Sequence, residues 1–251
     1  MRAWIVFAAV IALGGSQADA KTHPGKRRHH HARAASAATH ESTEHATTKG
    51  EGEQSIGQPW SGTLRDASRF PEGDGYVIRR PWRAYGTRTA VEYVESVIRD
   101  TRDAFPDRHV LGIGDFSQEH GGAITDHRSH QTGRDVDIGL FYKEKPASYP
   151  REFVRATEDN LDCEATLGMV LRFAATAHKD GGVQMMFLDY EVQGLLYHWG
   201  LDHGVDEAKL DRTFQFAHGR GSSDGIVRHY AGHDNHVHVR FKCAASDRDC
   251  H

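Results

Sequence analysis

Two segments far apart in the chain alternate with a period of two, the spacing at which a strand sends successive side chains to opposite faces. They read His127-Arg-Ser-His130-Gln-Thr-Gly-Arg-Asp135-Val-Asp137-Ile138 and His233-Asp-Asn-His236-Val-His238-Val-Arg240. Over residues 235–241 the valines 237 and 239 take one face, and His236, His238 and Arg240 take the other. Residues 135–138 repeat the arrangement, with Asp135 and Asp137 opposed to Val136 and Ile138. A fold containing both strands must bury apolar side chains on one side and gather imidazoles and carboxylates on the other, because a slip of one residue would exchange the two sets.

Imidazole and carboxylate are ligand types that a zinc ion prefers. On a strand His236 and His238 stand roughly 7 Å apart. One can therefore ligate a metal while the other sits beside the open coordination position as a general base. His130 precedes Asp137 by seven residues, with Gly133 between them to let the chain turn back toward the same ion. His130, Asp137 and His238 then give three protein ligands and a fourth position for water, the pattern of a catalytic rather than a closed structural zinc site. Zinc in such a site lowers the pKa of water to about 7 and polarises a carbonyl oxygen. The chain has 19 histidines, so composition alone puts some on the surface; His40, His45, His178, His198, His203 and His218 belong to that group. The three cysteines, Cys163, Cys243 and Cys250, lack zinc-knuckle spacing, so the metal case rests on His and Asp.

The first twenty residues have the pattern of a signal peptide: Arg2, an apolar run from Ala3 to Gly15, and a small-x-small site at Ala18-Asp-Ala20. The expected protein is exported to the periplasm or secreted after cleavage behind Ala20, with no stable membrane insertion; a retained anchor is the alternative. Residues 21–50 carry six Lys or Arg against two Glu, which leaves a formal −8 on residues 51–251. This tail lacks the large apolar side chains needed to offset ordering entropy, and it reads as a disordered linker. It is either a plain solvated spacer or an electrostatic tether to an anionic surface such as cell wall polymer. Its His29-His30-His31 run and His23 either bind metal loosely or are simply polar. The acidic balance of residues 51–251 fits no nucleic-acid partner. Their length suits one domain with a proper core, and an oxidising compartment should pair two of the three cysteines.

Within that domain, residues 76–78 and 110–113 read as strands. Residues 89–105 form an amphipathic helix with Val91, Val94, Ile98 and Phe105 at helical spacing and Pro106 as its stop. A second helix covers 164–178, a strand 183–188, and a short helix 191–199 closed by Gly200. Strands and helices mix without regular βαβ alternation, so the expected class is α+β: a small antiparallel sheet carrying the zinc site, flanked by helices and long loops.

With these residues in place the chain resembles the penicillin-insensitive murein endopeptidases, a family within the zinc peptidases that include lysostaphin-type and D-alanyl-D-alanine metallopeptidases. The resemblance rests on His127-x-x-His130-Gln-x-Gly-x-Asp-Val-Asp137-Ile and His233-x-x-His236-x-His238-Val-Arg. Ser55-Ile56-Gly57, Gly114-Asp-Phe-Ser-Gln118, Gly121-Gly122 and the ending Cys243-x6-Cys250 occur in the matching order. It implies Zn2+ held by His130, Asp137 and His238, His236 as the catalytic histidine, and supporting roles for His127 and His233. It also implies a disulfide joining Cys243 to Cys250, with Cys163 unpaired. The implied reaction is hydrolysis of D-alanyl–diaminopimelate cross-links between peptidoglycan peptide stems, untouched by penicillin because there is no serine to acylate. Trimming of a terminal D-alanine by the same metal set is a second reading, and a non-catalytic zinc-binding wall protein is a third. Asp135 is expected as a structural acceptor. Arg134, standing where an apolar residue is expected, and Arg240 either meet substrate carboxylates or serve packing.

Overall fold

The computed structural model describes residues 54–251; the expected signal peptide (1–20) and linker (21–50) lie outside the described residues. Among the described residues, ten strands and four α-helices follow in chain order. A hairpin of β1 (Ser55–Gln58) and β2 (Ser61–Leu64) leads to β3 (Ser68–Arg69), β4 (Tyr76–Ile78) and β5 (Tyr85–Gly86). Helix α1 (Arg88–Ala104), β6 (Leu111–Ile113), β7 (Asp135–Gly139) and α2 (Cys163–Ala175) come next. The chain then runs through β8 (Val183–Phe187), α3 (Tyr190–Asp202), α4 (Glu207–Thr213), β9 (Val227–Arg228) and β10 (His236–Phe241). The class is α+β, as the sequence predicts.

The main sheet has six strands in the order β4-β6-β7-β10-β8-β9. It is larger than expected, and mixed. Its four inner strands pair antiparallel, whereas the outer pairs β4·β6 and β8·β9 run parallel. The two ionisable strands, β7 and β10, lie side by side at its centre. Their register sets His238 opposite Asp137, Arg240 opposite Asp135, Val237 opposite Ile138 and Val239 opposite Val136. One cross-strand face is therefore apolar and the other, apart from Gly139 opposite His236, ionisable.

The helices cover the apolar face. The Phe241 ring stacks on Tyr93 of α1 at 6.0 Å and meets Phe173 of α2 edge-on at 6.5 Å. Helix α1 starts where the Thr87 hydroxyl accepts from the Ala90 N–H, and it buries Val91, Val94, Val97 and Ile98. Asp162 caps α2 in the same way through the Ala165 N–H. The third helix does not stop at Gly200 but continues to Asp202. Gly200 serves instead as a close approach: a Cβ there would stand 3.1 Å from Leu167 of α2 and from Leu210 of α4.

Cys243 and Cys250 form the implied disulfide, and Cys163 is free. The bridge folds the C-terminus back so that Cys250 pairs with Gly57 of β1. Arg134, only 2 % exposed, ties this corner together. Its guanidinium donates to Ser55 Oγ, the Phe241 carbonyl and the His251 carbonyl, which is why a charged side chain occupies an interior position. No helix among the described residues is long and apolar enough to cross a membrane.

Candidate metal centre

Three side chains converge on the ionisable face. His130 Nε2 lies 3.2 Å from His238 Nδ1, His238 Nδ1 lies 3.1 Å from Asp137 Oδ1, and His130 Nε2 lies 3.4 Å from the same oxygen. Ligand atoms bound to a tetrahedral zinc at 2.0–2.1 Å are spaced about 3.3 Å from one another, so this triangle has the dimensions of one face of such a site. All three side chains are buried, and Asp137 Oδ1 has no hydrogen-bond partner. Lone-pair atoms of two imidazoles and a carboxylate facing one another at this range need a proton or a cation among them.

The local chain geometry explains the convergence. His130 sits in the left-handed region at φ 66°, uncommon for a non-glycine residue, and its N–H donates to Asp135 Oδ2 at 3.0 Å. Gly133, at φ 70°, completes the turn back to β7; a Cβ there would press against Leu64 at 2.8 Å and the Thr87 nitrogen at 2.9 Å. The Nδ1–H of His130 donates to the Phe116 carbonyl at 2.7 Å, which leaves Nε2 as the lone-pair nitrogen facing the site. Asp135 plays the acceptor role expected of it, taking Arg240 Nε at 2.7 Å and Nη2 at 3.1 Å besides the His130 amide. On the far side of the His238 ring, Nε2 stands 3.3 Å from Asp135 Oδ1 without hydrogen-bond alignment.

Burial would raise the Asp137 carboxyl, but the His130 and His236 imidazoles hold it well below the usual carboxylate range. Burial likewise opposes the charge of Asp135, and His238 and Arg240 overcome it in the same direction. For His238, burial pushes the imidazole down, yet the Asp135 and Asp137 carboxylates outweigh it and carry the pKa up to about 9. His236 behaves oppositely: burial takes it down to about 4, with Asp137 only partly opposing. Its Nδ1–H donates to Asn235 Oδ1 at 2.6 Å, and its Nε2 stands 3.6 Å from Asp137 Oδ1. At neutral pH it is an uncharged imidazole with its basic nitrogen turned toward the triangle.

The two remaining histidines flank this group. His127 Nε2 donates to Asp115 Oδ2 at 3.0 Å and lies 3.8 Å from Asp137 Oδ2. His127, His130 and Asp137 also come within 4.8 Å of one another, but His127 is committed to Asp115 and His238 makes the tighter set. The His233 ring lies 4.8 Å from His236 and 5.7 Å from His238. His178, His198, His203 and His218 are exposed, as expected from composition, while His40 and His45 lie outside the described residues. A cavity of about 430 Å³ between α1 and α2, lined by Thr89, Tyr93, Arg172 and Lys179 among others, contains none of these groups.

Several residues at the site carry no periodic signal in the sequence. Asp115 Oδ2 accepts from His127, Arg83 and Arg80, a buried carboxylate that sequence reading passes over although it lies in the Gly114–Gln118 motif. Phe153 stacks on His236 at 5.1 Å, and Arg79 lies over the other ring system of that pair, 4.0 Å from the Phe153 centroid. Phe187 packs 5.3 Å from His238, and Trp60, 55 % exposed, lies near Arg240 on the same side of the sheet.

Residues 55–179 match the family model described as penicillin-insensitive murein endopeptidase. The matched stretch carries His127, His130 and Asp137 and stops before the second histidine segment, which the sheet register sets beside it. Proteins with the same name from Yersinia enterocolitica serotype O:8 and Klebsiella pneumoniae subsp. pneumoniae are each 26 % identical over 211 residues, and the one from Escherichia coli O6:K15:H31 is 26 % identical over 208. Each alignment spans 78 % of this chain and 69 % of the relative. A family match across the first ligand segment, joined to relatives along most of the chain's length, leads to one assignment: the chain belongs to the penicillin-insensitive murein endopeptidase family.

Proposed function

We propose that the protein is a zinc-dependent peptidoglycan endopeptidase that hydrolyses D-alanyl–diaminopimelate cross-links between peptide stems. The observation that carries the proposal is the convergence of His130 Nε2, Asp137 Oδ1 and His238 Nδ1 at 3.1–3.4 Å on one buried face. These three residues are the ligand set, and the unpartnered Asp137 Oδ1 and the two facing imidazoles suit a divalent cation. Zinc held by these residues would supply Lewis acidity, lowering the pKa of water and polarising the carbonyl of the scissile bond.

The remaining chemistry belongs to the chain. His236, neutral and fixed with Nε2 inward, takes the proton of the attacking water. The water oxygen joins the carbonyl carbon, the carbon–nitrogen bond breaks, and the proton passes from His236 to the departing amine. His127, held by Asp115, and His233, beside His236, flank the site and orient its ligands and the attacking water. Export belongs to the same proposal. Residues 1–20 direct the chain out of the cytoplasm, 21–50 form a linker, and 51–251 form the peptidase domain acting in the periplasm or outside the cell.

The test is digestion of purified cross-linked muropeptides, with zinc content measured on every sample. His238→Ala should lose the ion and activity by about a thousandfold or more. His236→Ala should keep the ion yet lose about 10²–10⁴-fold, the range of a general base. Undiminished cleavage by His238→Ala or by chelator-treated protein would overturn the proposal. Release of free D-alanine without opening of cross-links would reassign the same site to a carboxypeptidase.

A further inference from the structure

The two arginines that the sequence offers to substrate carboxylates are both engaged. Arg134 ties the C-terminus to β1, and Arg240 is doubly bonded to Asp135. Arg80 and Arg83 share Asp115 Oδ2 at 3.0 and 2.8 Å. Arg79 is different. It follows β4, is half-buried, and has no carboxylate within ion-pair distance among the described residues. Among the described residues its only side-chain hydrogen bond is from Nε to the Arg151 carbonyl at 2.9 Å, and its guanidinium lies on the Phe153 ring at 4.0 Å. Pinned by Nε and stacked on one face, it leaves both Nη groups as a preorganised fork, the end that grips a carboxylate through two parallel hydrogen bonds. Burial and the neighbouring Arg80 depress its pKa, while Asp115 and Asp137 oppose them from beyond ion-pair distance.

Its location is set by Phe153. That ring stacks on His236 at 5.1 Å, and it packs so closely on Gly114 that a Cβ there would meet it at 3.0 Å and Asp137 Cβ at 2.9 Å. The guanidinium therefore lies within roughly 9 Å of the His236 ring, over a shared aromatic platform. His236 delivers the proton to the leaving nitrogen, so the amine-side residue of the substrate occupies this flank. A carboxylate on that residue's α-carbon lies about 3–4 Å from the scissile carbonyl carbon, by covalent geometry. A bidentate guanidinium stands about 4 Å farther on. The reach of Arg79 matches.

We infer that Arg79 is a specificity-determining residue that anchors a free α-carboxylate on the amine-side residue of the scissile bond, so that cross-links bearing this carboxylate are selected over amidated ones. The inference rests on the endopeptidase reading above and names a substrate feature for it. The negative charge is recognised on the His236 flank, while the acyl side of the peptide faces the opposite flank near Phe187 and Trp60.

The experiment compares two matched cross-linked muropeptides, one with the amine-side α-carboxylate free and one with it converted to the carboxamide. Both are given to zinc-loaded wild type, Arg79→Gln and Arg79→Lys, and kcat/KM is read with zinc content and Tm. Wild type should favour the acid by about 30–100-fold, the scale of a charge-assisted bidentate bond in a partly desolvated site. Arg79→Gln should bring the acid-to-amide ratio close to one, and Arg79→Lys should restore part of it as a point charge. Equal losses on both substrates in Arg79→Gln, with the ratio kept, would mean a structural role and overturn the inference. So would a wild type indifferent to amidation, which leaves the endopeptidase reading standing. A zinc-loaded wild type that cuts neither substrate overturns that reading and the anchor with it.

Discussion

The two faces of the β7·β10 pair are nearly equal in burial and opposite in chemistry. Val136, Ile138, Val237 and Val239 are all fully buried, and across the same backbone Asp135, Asp137 and His238 are at most a few per cent exposed. The apolar face needs nothing beyond the sheet and the helices packed on it, since each buried methylene contributes about 0.8 kcal/mol without geometric demands. The ionisable face is stable only through specific partners. Asp135 has Arg240 and the His130 amide, whereas three imidazoles crowd Asp137 Oδ1 at 3.1–3.6 Å and leave it without a hydrogen bond. Burial alone thus does not separate core from site; the number of unmet lone pairs does.

The sharpest way to break the comparison is to remove one partner on the ionisable face. Arg240→Ala leaves the Asp135 carboxylate buried with its main counter-charge gone. The expected loss is about 3–5 kcal/mol of unfolding free energy. Because Asp135 also holds the His130 amide, zinc affinity should fall in the same variant. Chemical denaturation paired with zinc titration reads both. A variant that unfolds like wild type would show that the charged face is as tolerant as the apolar one.

The apolar face should answer differently. Ile138 pairs with Val237 and with Ile113 of β6, and Ile138→Ala opens a cavity there at a cost of about 2–4 kcal/mol. The zinc bound per folded molecule should stay at the wild-type value, since Ile138 points away from the ligands. Stability is read by denaturation and stoichiometry by metal analysis of the folded fraction. Loss of zinc from folded Ile138→Ala would mean that the two faces are mechanically coupled.

This division was legible in the sequence because period-two alternation is a local property. Val237, Val239, Asp135 and Asp137 declare their faces whatever the strands pair with. Helices α1 and α2 were legible for a similar reason, each having an apolar stripe at helical spacing. The pieces that were not legible depend on contacts distant in sequence. Strand β9 has two residues and α4 seven, too short for periodicity to speak, and the parallel outer pairs β4·β6 and β8·β9 follow from long connections. Arg79 carries no pattern at all, and Asp115 stands in a motif that assigns it no role. Their importance comes from where Phe153, His127 and His236 lie, which only the folded sheet reveals. The Gly200 stop failed because that glycine answers a packing need and not a helix end.

The smallest expected effect, taken per pH unit, separates the ionisable face with zinc from the same face without it. His238 has its pKa raised to about 9 in the folded protein. An unfolded histidine titrates near 6.5. In zinc-free protein the protonated imidazole therefore contributes stability that is full below about pH 6.5 and is lost as pH rises toward 9. Zinc requires the neutral imidazole, so its contribution runs the other way, and apparent affinity should rise up to tenfold per pH unit, about 1.4 kcal/mol, over this window. Asp135 and Asp137 stay ionised throughout, being held well below the usual carboxylate range, and His236, down at about 4, stays neutral. None of the three adds slope. The Tm gain on adding zinc to chelator-stripped protein should therefore grow steadily from pH 6 to pH 8.5, while the apolar-face variant Ile138→Ala shows the same slope from a lower baseline. A gain that is flat or shrinks with pH would mean that no proton leaves His238 when the ion enters, and His238 would then not be a ligand.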